Sequence, residues 1–194
     1  MATRRSALEG GIFMFRQFLR DRRIASIKAT SPYLVRRICG RIDFSRRRVV
    51  VEFGPGLGCF TRVLLQRLSP DSRLLVFETN PEFARRLRRI HDPRLVVAFG
   101  SAEAVTEVLD REGLEGADVV LSGIPFSHFP EVRKMKLLRD ARAILGENGL
   151  FLAYQSSAQL ERYLKRVFPR VRVERELFHI PPLVVLEAGG RRAA

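Results

Sequence analysis

The chain is 194 residues with 46% hydrophobic and 29% charged residues, enough to bury the core of one α/β-sized domain, and this excludes a disordered tail, a collagen-like repeat and a disulfide-stapled mini-protein. Lys and Arg number 35 against 21 Asp and Glu, a formal charge of +14, which points to a polyanionic partner, either nucleic acid or an anionic lipid surface. Thirty-one of those cations are Arg, a skew that genome composition produces as readily as phosphate recognition.

The charge is concentrated at the front: residues 1–48 hold 13 cations against Glu9, Asp21 and Asp43. Ile12, Phe15 and Leu19, joined by Phe18, recur at helical spacing, with Arg16, Gln17, Arg20, Arg22 and Arg23 between them, so 12–22 reads as a basic amphipathic helix. Such a helix either packs its apolar face on the domain or lies in a membrane interface, and the coincidence of Phe-rich and Arg-rich faces favours the interface. Ser31-Pro32 starts a second helix reaching about Gly40, with Leu34, Val35 and Ile38 on one face. We read 1–47 as a basic helical extension for membrane or substrate contact and 48–194 as one α/β domain.

From Arg48 the pattern changes to short β-branched runs. Segments 49–53, 74–77, 95–98, 119–121 and 150–154 read as buried parallel strands. Between them 61–68, 81–90, 102–111 and 130–145 read as crossover helices. Segments 171–178 and 183–188, joined by His179-Ile180-Pro181-Pro182, read as a final strand pair with no helix between. Cys39 and Cys59 form no Cys-x-x-Cys and meet no His cluster at metal spacing, which reads as a reduced cytoplasmic protein without a structural metal. We read no secretory leader and no apolar run near the roughly 20 residues that cross a bilayer; any membrane contact is from the surface.

The most informative stretch is Glu52-Phe53-Gly54-Pro55-Gly56-Leu57-Gly58, after a strand and before a helix. Glycines there let the backbone turn sharply and approach a ligand, although a lone loop of this kind is also a tight strand-to-helix turn. Glu78, followed by Thr79, ends the next strand, where an acid accepts both hydroxyls of a ribose. The loop lacks the Gly-x-Gly-x-x-Gly of dinucleotide sites, and Glu52 just before it disfavours a pyrophosphate and favours a cationic ligand. S-adenosylmethionine, with a sulfonium, an ammonium and an adenosine, meets that electrostatic demand.

These residues resemble the class I S-adenosylmethionine-dependent methyltransferases over about residues 48–188. The resemblance implies a Rossmann-like α/β fold, a seven-stranded sheet whose last strand is antiparallel, here preceded by the amphipathic helical extension. It places Gly54, Gly56 and Gly58 around the methionine part, Glu78 at the ribose and Gly100-Ser101-Ala102 at the adenine, with Glu52 and Thr79 as further cofactor-binding residues. Ser101 stands where many relatives have Asp, so the adenine contact passes to Ser101, Ala102 or Glu103. Ser122, at the end of the fourth strand, is a further candidate for cofactor binding.

Two subfamilies share the Glu-x-Gly-Pro-Gly-x-Gly form. The ribosomal RNA adenine dimethyltransferases have Asn or Asp before Leu-Pro-Tyr/Phe, to hold the exocyclic amine of a flipped adenine. Here the run is Ser122-Gly123-Ile124-Pro125-Phe126, similar to the Ser-Gly/Ser-Leu-Pro run of bacterial phospholipid N-methyltransferases, whereas Gln155-Ser156 departs from their Tyr-Gly-Pro after the fifth strand. The resemblance implies methylation of a phosphatidylethanolamine-type headgroup at an anionic membrane surface, by a cytoplasmic protein bound peripherally to the inner face of the membrane. RNA adenine N6-methylation is the alternative, as is a non-catalytic S-adenosylmethionine-binding protein associated with RNA or membrane. For the chemistry we expect His128 to accept the amine proton and Tyr154 to orient the amine or face its charge.

Overall fold

The computed structural model describes residues 31–176 and 182–189; the basic helix expected over 12–22 and most of the connection 179–182 lie outside the described residues. Seven strands, β1 (Val49–Phe53), β2 (Arg73–Glu78), β3 (Leu95–Phe99), β4 (Ala117–Ser122), β5 (Leu145–Gln155), β6 (Arg170–Glu176) and β7 (Leu183–Gly189), form one sheet in the order β3-β2-β1-β4-β5-β7-β6. Strands β1 to β5 pair in parallel. β7 runs antiparallel to both of its neighbours, β5 and β6, as the sequence reading expects.

The continuous apolar runs of the inner strands follow from burial on both faces. Side chains alternate across the sheet: Val51, Phe53, Leu75, Phe77 and Val120 enter one core, while Val50, Leu74, Val76, Val119 and Leu121 enter the other. Helix α1 (Pro32–Cys39) is capped by Ser31, whose hydroxyl accepts the Leu34 N–H at 3.2 Å. It buries Leu34, Val35 and Ile38 in the second core, beside Phe60 and Leu64 of α2 (Cys59–Arg67). Arg37 is ion-paired with Glu176, and Arg41 with Glu174 and Glu187, so α1 is also tied to β6 and β7. The part of the N-terminal segment from Ser31 onward is thus built into the sheet domain.

Helices α3 (Pro81–Leu87) and α4 (Val105–Arg111) follow β2 and β3, and α5 (Glu131–Ile144) links β4 to β5. Three details differ from the sequence reading. The expected helix 102–111 is a 3-10 turn (Ala102–Ala104) before α4. β5 starts five residues before Leu150, because Leu145 pairs with Ala117 before a register shift brings Leu150 opposite Val119. A one-turn helix, α6 (Glu161–Leu164), lies between β5 and β6 and buries Tyr163 and Leu164.

In such sheets ligands bind beyond the carboxyl ends of the strands, where the strand order reverses. Here that point lies between β1 and β4, whose carboxyl ends lead into Gly54 and Gly123.

Candidate active site

β1 leaves the sheet through three left-handed glycines, Gly54, Gly56 and Gly58, at φ of 69°, 55° and 74°, a conformation that side chains with a β-carbon adopt at a cost. The Gly54 N–H donates to the Phe77 carbonyl at 2.9 Å, folding the turn over the end of β2. There Glu78 joins the two strand ends: its Oε2 accepts the Gly56 N–H at 3.0 Å and its Oε1 the Asn80 N–H at 2.8 Å. Asn80 in turn caps α3, its side chain accepting the Glu82 and Phe83 N–H groups. Burial raises the Glu78 carboxyl pKa, against the opposing pull of the Asn80, Gly56 and Thr79 N–H groups.

Beneath the loop, Glu52 is buried and its Oε2 accepts the Thr61 hydroxyl at 2.6 Å. Its Oε1 has no partner among the described residues. Burial pushes this carboxyl up to about 8, with the Thr61 hydrogen bond opposing and the Glu78 charge adding. A buried orphan oxygen favours the arrival of a positive charge or donor.

A cavity of about 330 Å³ opens at the switch point, within the range of small-molecule sites. Of the residues singled out in the sequence, Gly54, Glu78, Thr79, Ser101 and Ala102 line it. Ser101 caps the 3-10 turn, its hydroxyl accepting the Glu103 N–H at 3.2 Å. Gly56, Gly58, Glu52 and Ser122 are not among the cavity's lining residues; Ser122 is fully buried and its hydroxyl accepts the Ile124 N–H at 3.4 Å. Gly123, Ile124, Phe129 and Arg133 also line it. Arg133, on α5, stands 4.3 Å over the Phe129 ring and donates to Glu103 at 2.6 Å. In the sequence these two were only part of a helix and its approach.

The turn 122–126 is held by a residue that motif reading passed over as a mismatch. Gln155 donates through Nε2 to the carbonyls of Ile124 and Tyr154, at 2.8 and 2.9 Å, and accepts the Phe126 N–H at 3.2 Å. Tyr154 stands behind Gly123 with its ring stacked on Phe60, centroids 5.0 Å apart. His128 ends a 3-10 turn (Phe126–His128), which its N–H closes on the Pro125 carbonyl at 3.1 Å, and is exposed; neither it nor Tyr154 is among the residues that line the cavity.

The chain is 34% identical over 174 residues to the ornithine lipid N-methyltransferase of Singulisphaera acidiphila, covering 88% of this chain and 91% of that protein. It is 39% identical over 73 residues to the ribosomal RNA small subunit methyltransferase H of Aromatoleum aromaticum, 38% of this chain and 23% of that protein. The O-methyltransferase TomG of Streptomyces achromogenes, solved with S-adenosylmethionine, superposes with a TM-score of 0.65 at 16% identity, over 84% of this chain and 82% of that one. No protein-family model matches the sequence.

Proposed function

The chain belongs to the class I S-adenosylmethionine-dependent methyltransferases, and within that family we propose that it methylates the aliphatic amine of a membrane-lipid headgroup. The observation that supports the lipid reading is the likeness to the ornithine lipid enzyme, which spans 91% of that protein, against 23% for the ribosomal RNA enzyme. Phosphatidylethanolamine and ornithine lipid both present such an amine, and both belong to the proposed substrate class.

The residues fit the cofactor. Glu78 lines the cavity and keeps acceptor capacity beyond the backbone N–H groups that it binds, so the ribose hydroxyls are its proposed ligands. The loop 54–58 and the orphan Glu52 oxygen would face the methionine part, whose ammonium offers the positive charge that this oxygen lacks. Thr79, Ser101 and Ala102 would flank the adenosine. When bound, S-adenosylmethionine supplies an electrophilic methyl carbon. The chain supplies alignment and, through Ile124, Pro125 and Phe129, apolar walls that exclude water. The amine reacts neutral, having given its proton to solvent on entry.

Among the described residues no helix is long and apolar enough to cross a membrane. The proposed membrane contact is the basic segment 10–23, outside the described residues, where each arginine near an anionic surface contributes about 1 kcal/mol.

Radiolabelled S-adenosylmethionine offered to phosphatidylethanolamine vesicles, ornithine-lipid vesicles and ribosomal RNA tests the reading. Label is expected in a lipid extract, and label confined to RNA would overturn it. In parallel, binding to anionic vesicles is expected to weaken with salt and with Phe15→Glu; RNA binding would respond to the salt alone.

A further inference from the structure

Gly123 follows β4 directly and lines the cavity, yet it has no side chain to offer a substrate. A β-carbon built there would overlap Tyr154 Oη, lie 2.9 Å from Tyr154 Cζ and stand 3.0 Å from the Gly54 carbonyl oxygen. The hydroxyl of a residue on β5 therefore occupies the space that a side chain at position 123 would fill, where the loops after β1 and β4 meet. We propose that Tyr154 orients the acceptor amine, its hydroxyl serving from β5 in place of a side chain at position 123, and that Gly123 is the gap that admits it.

The chemistry requires such a group. The nitrogen lone pair forms the new N–C bond while the carbon–sulfur bond breaks and its electron pair stays on sulfur; the nitrogen then carries the positive charge and sheds a proton to solvent. Since the lone pair faces the methyl carbon, the N–H bonds point elsewhere and need acceptors. Tyr154 Oη accepts one, and the adjoining ring favours the charge that develops on nitrogen. The tyrosine is fixed in position by its neighbours, with its ring stacked on Phe60, its carbonyl accepting Gln155 Nε2, and its backbone paired with Val185 of β7. A hydroxyl on a strand, fixed on three sides, is better aligned than one on the turn itself. The inference deepens the aminolipid reading and rests on it.

Tyr154→Phe keeps the ring and its stacking and removes one oxygen. With aminolipid vesicles and saturating cofactor, its kcat is expected to fall about 10- to 100-fold, the range for a hydrogen bond to a group gaining charge. Its affinity for S-adenosylhomocysteine, measured by calorimetry, should stay within about twofold of wild type. Gly123→Ala pushes the hydroxyl aside and should lose a similar factor, and the double variant should be no worse than the poorer single, because both changes remove the same contact. Wild-type turnover in Tyr154→Phe, a matching loss of S-adenosylhomocysteine affinity, or losses that multiply in the double variant would each overturn the assignment. Failure of the aminolipid reading shows separately, as wild-type protein that labels no lipid, and the inference falls with it.

Discussion

The two halves of the cavity are built by different means. On the β1–β2 side the structure is made by backbone and one acid: left-handed glycines, and the Glu78 carboxyl group that accepts the Gly56 and Asn80 N–H groups and ties the two strand ends together. On the β4–β5 side the turn carries little chemistry of its own, and its shape comes from side chains of the next strand. Gln155 reaches back 29 and 31 residues to hold Phe126 and Ile124, and Tyr154 fills the place left by Gly123. A site for an invariant ligand can be written into a local backbone motif. A site for a variable acceptor is better assembled from side chains that can change one at a time.

The sharpest way to break this comparison is at Glu78. Glu78→Ala removes an acceptor for two hydroxyls and strands the Gly56 N–H, and at about 1.5–3 kcal/mol for each hydrogen bond to a charged group affinity for S-adenosylhomocysteine is expected to fall about 100-fold or more by calorimetry. Unchanged affinity would mean that the β2 end holds no ligand. On the other side, Gln155→Leu leaves the Ile124 carbonyl and the Phe126 N–H with only their bond to each other, at 2.9 Å, a loss of about 0.5–1.5 kcal/mol for each side-chain hydrogen bond removed. A thermal unfolding midpoint several degrees lower and turnover reduced about tenfold are expected, with S-adenosylhomocysteine affinity within about threefold. An equal fall in cofactor affinity would show that the two sides are not separable.

The smallest effect tests the buried acid under the loop. Folded Glu52 keeps its proton up to about pH 8, well above the ordinary 4.5 of an unfolded glutamate. Its contribution to stability is therefore fully present below about pH 4.5 and is lost as pH rises through about 8. The unfolding midpoint of the wild type should fall relative to that of Glu52→Gln as pH rises across this window, and parallel curves would place the carboxylate in contact with a compensating charge.

Legibility in the sequence follows the same division. The β-branched run at Val49, the loop from Gly54 to Gly58 and the acid at Glu78 are local patterns, and the seven-stranded sheet with its antiparallel end agrees with what the resemblance they carry implied. The start of β5 was hidden because the β-branched and aromatic run begins only at Leu150, while in the sheet Leu145 already pairs with Ala117 before the register shifts. Helix α6 is a single turn, too short for a period to show. Gln155 read as a departure from a motif, since nothing local says that residues 124 and 126 come within its reach. His128 read as chemistry from its closeness along the chain to the turn at Pro125, and the structure places it, exposed, at the end of the 3-10 turn that follows.

The placement of β7 has a kinetic consequence. β6 is hydrogen-bonded to β7 alone, and β7, the last strand in chain order, lies between it and β5. During synthesis, β1 to β5 can pair as they emerge, but β6 has no neighbour until β7 arrives, and the β5 edge stays open for that interval. Tyr154 and Gln155 lie on that edge, opposite Val185 and Val184. A nascent chain thus completes its glycine loop early, while the β5 residues behind the turn 122–126 gain their last neighbours only when β7 arrives.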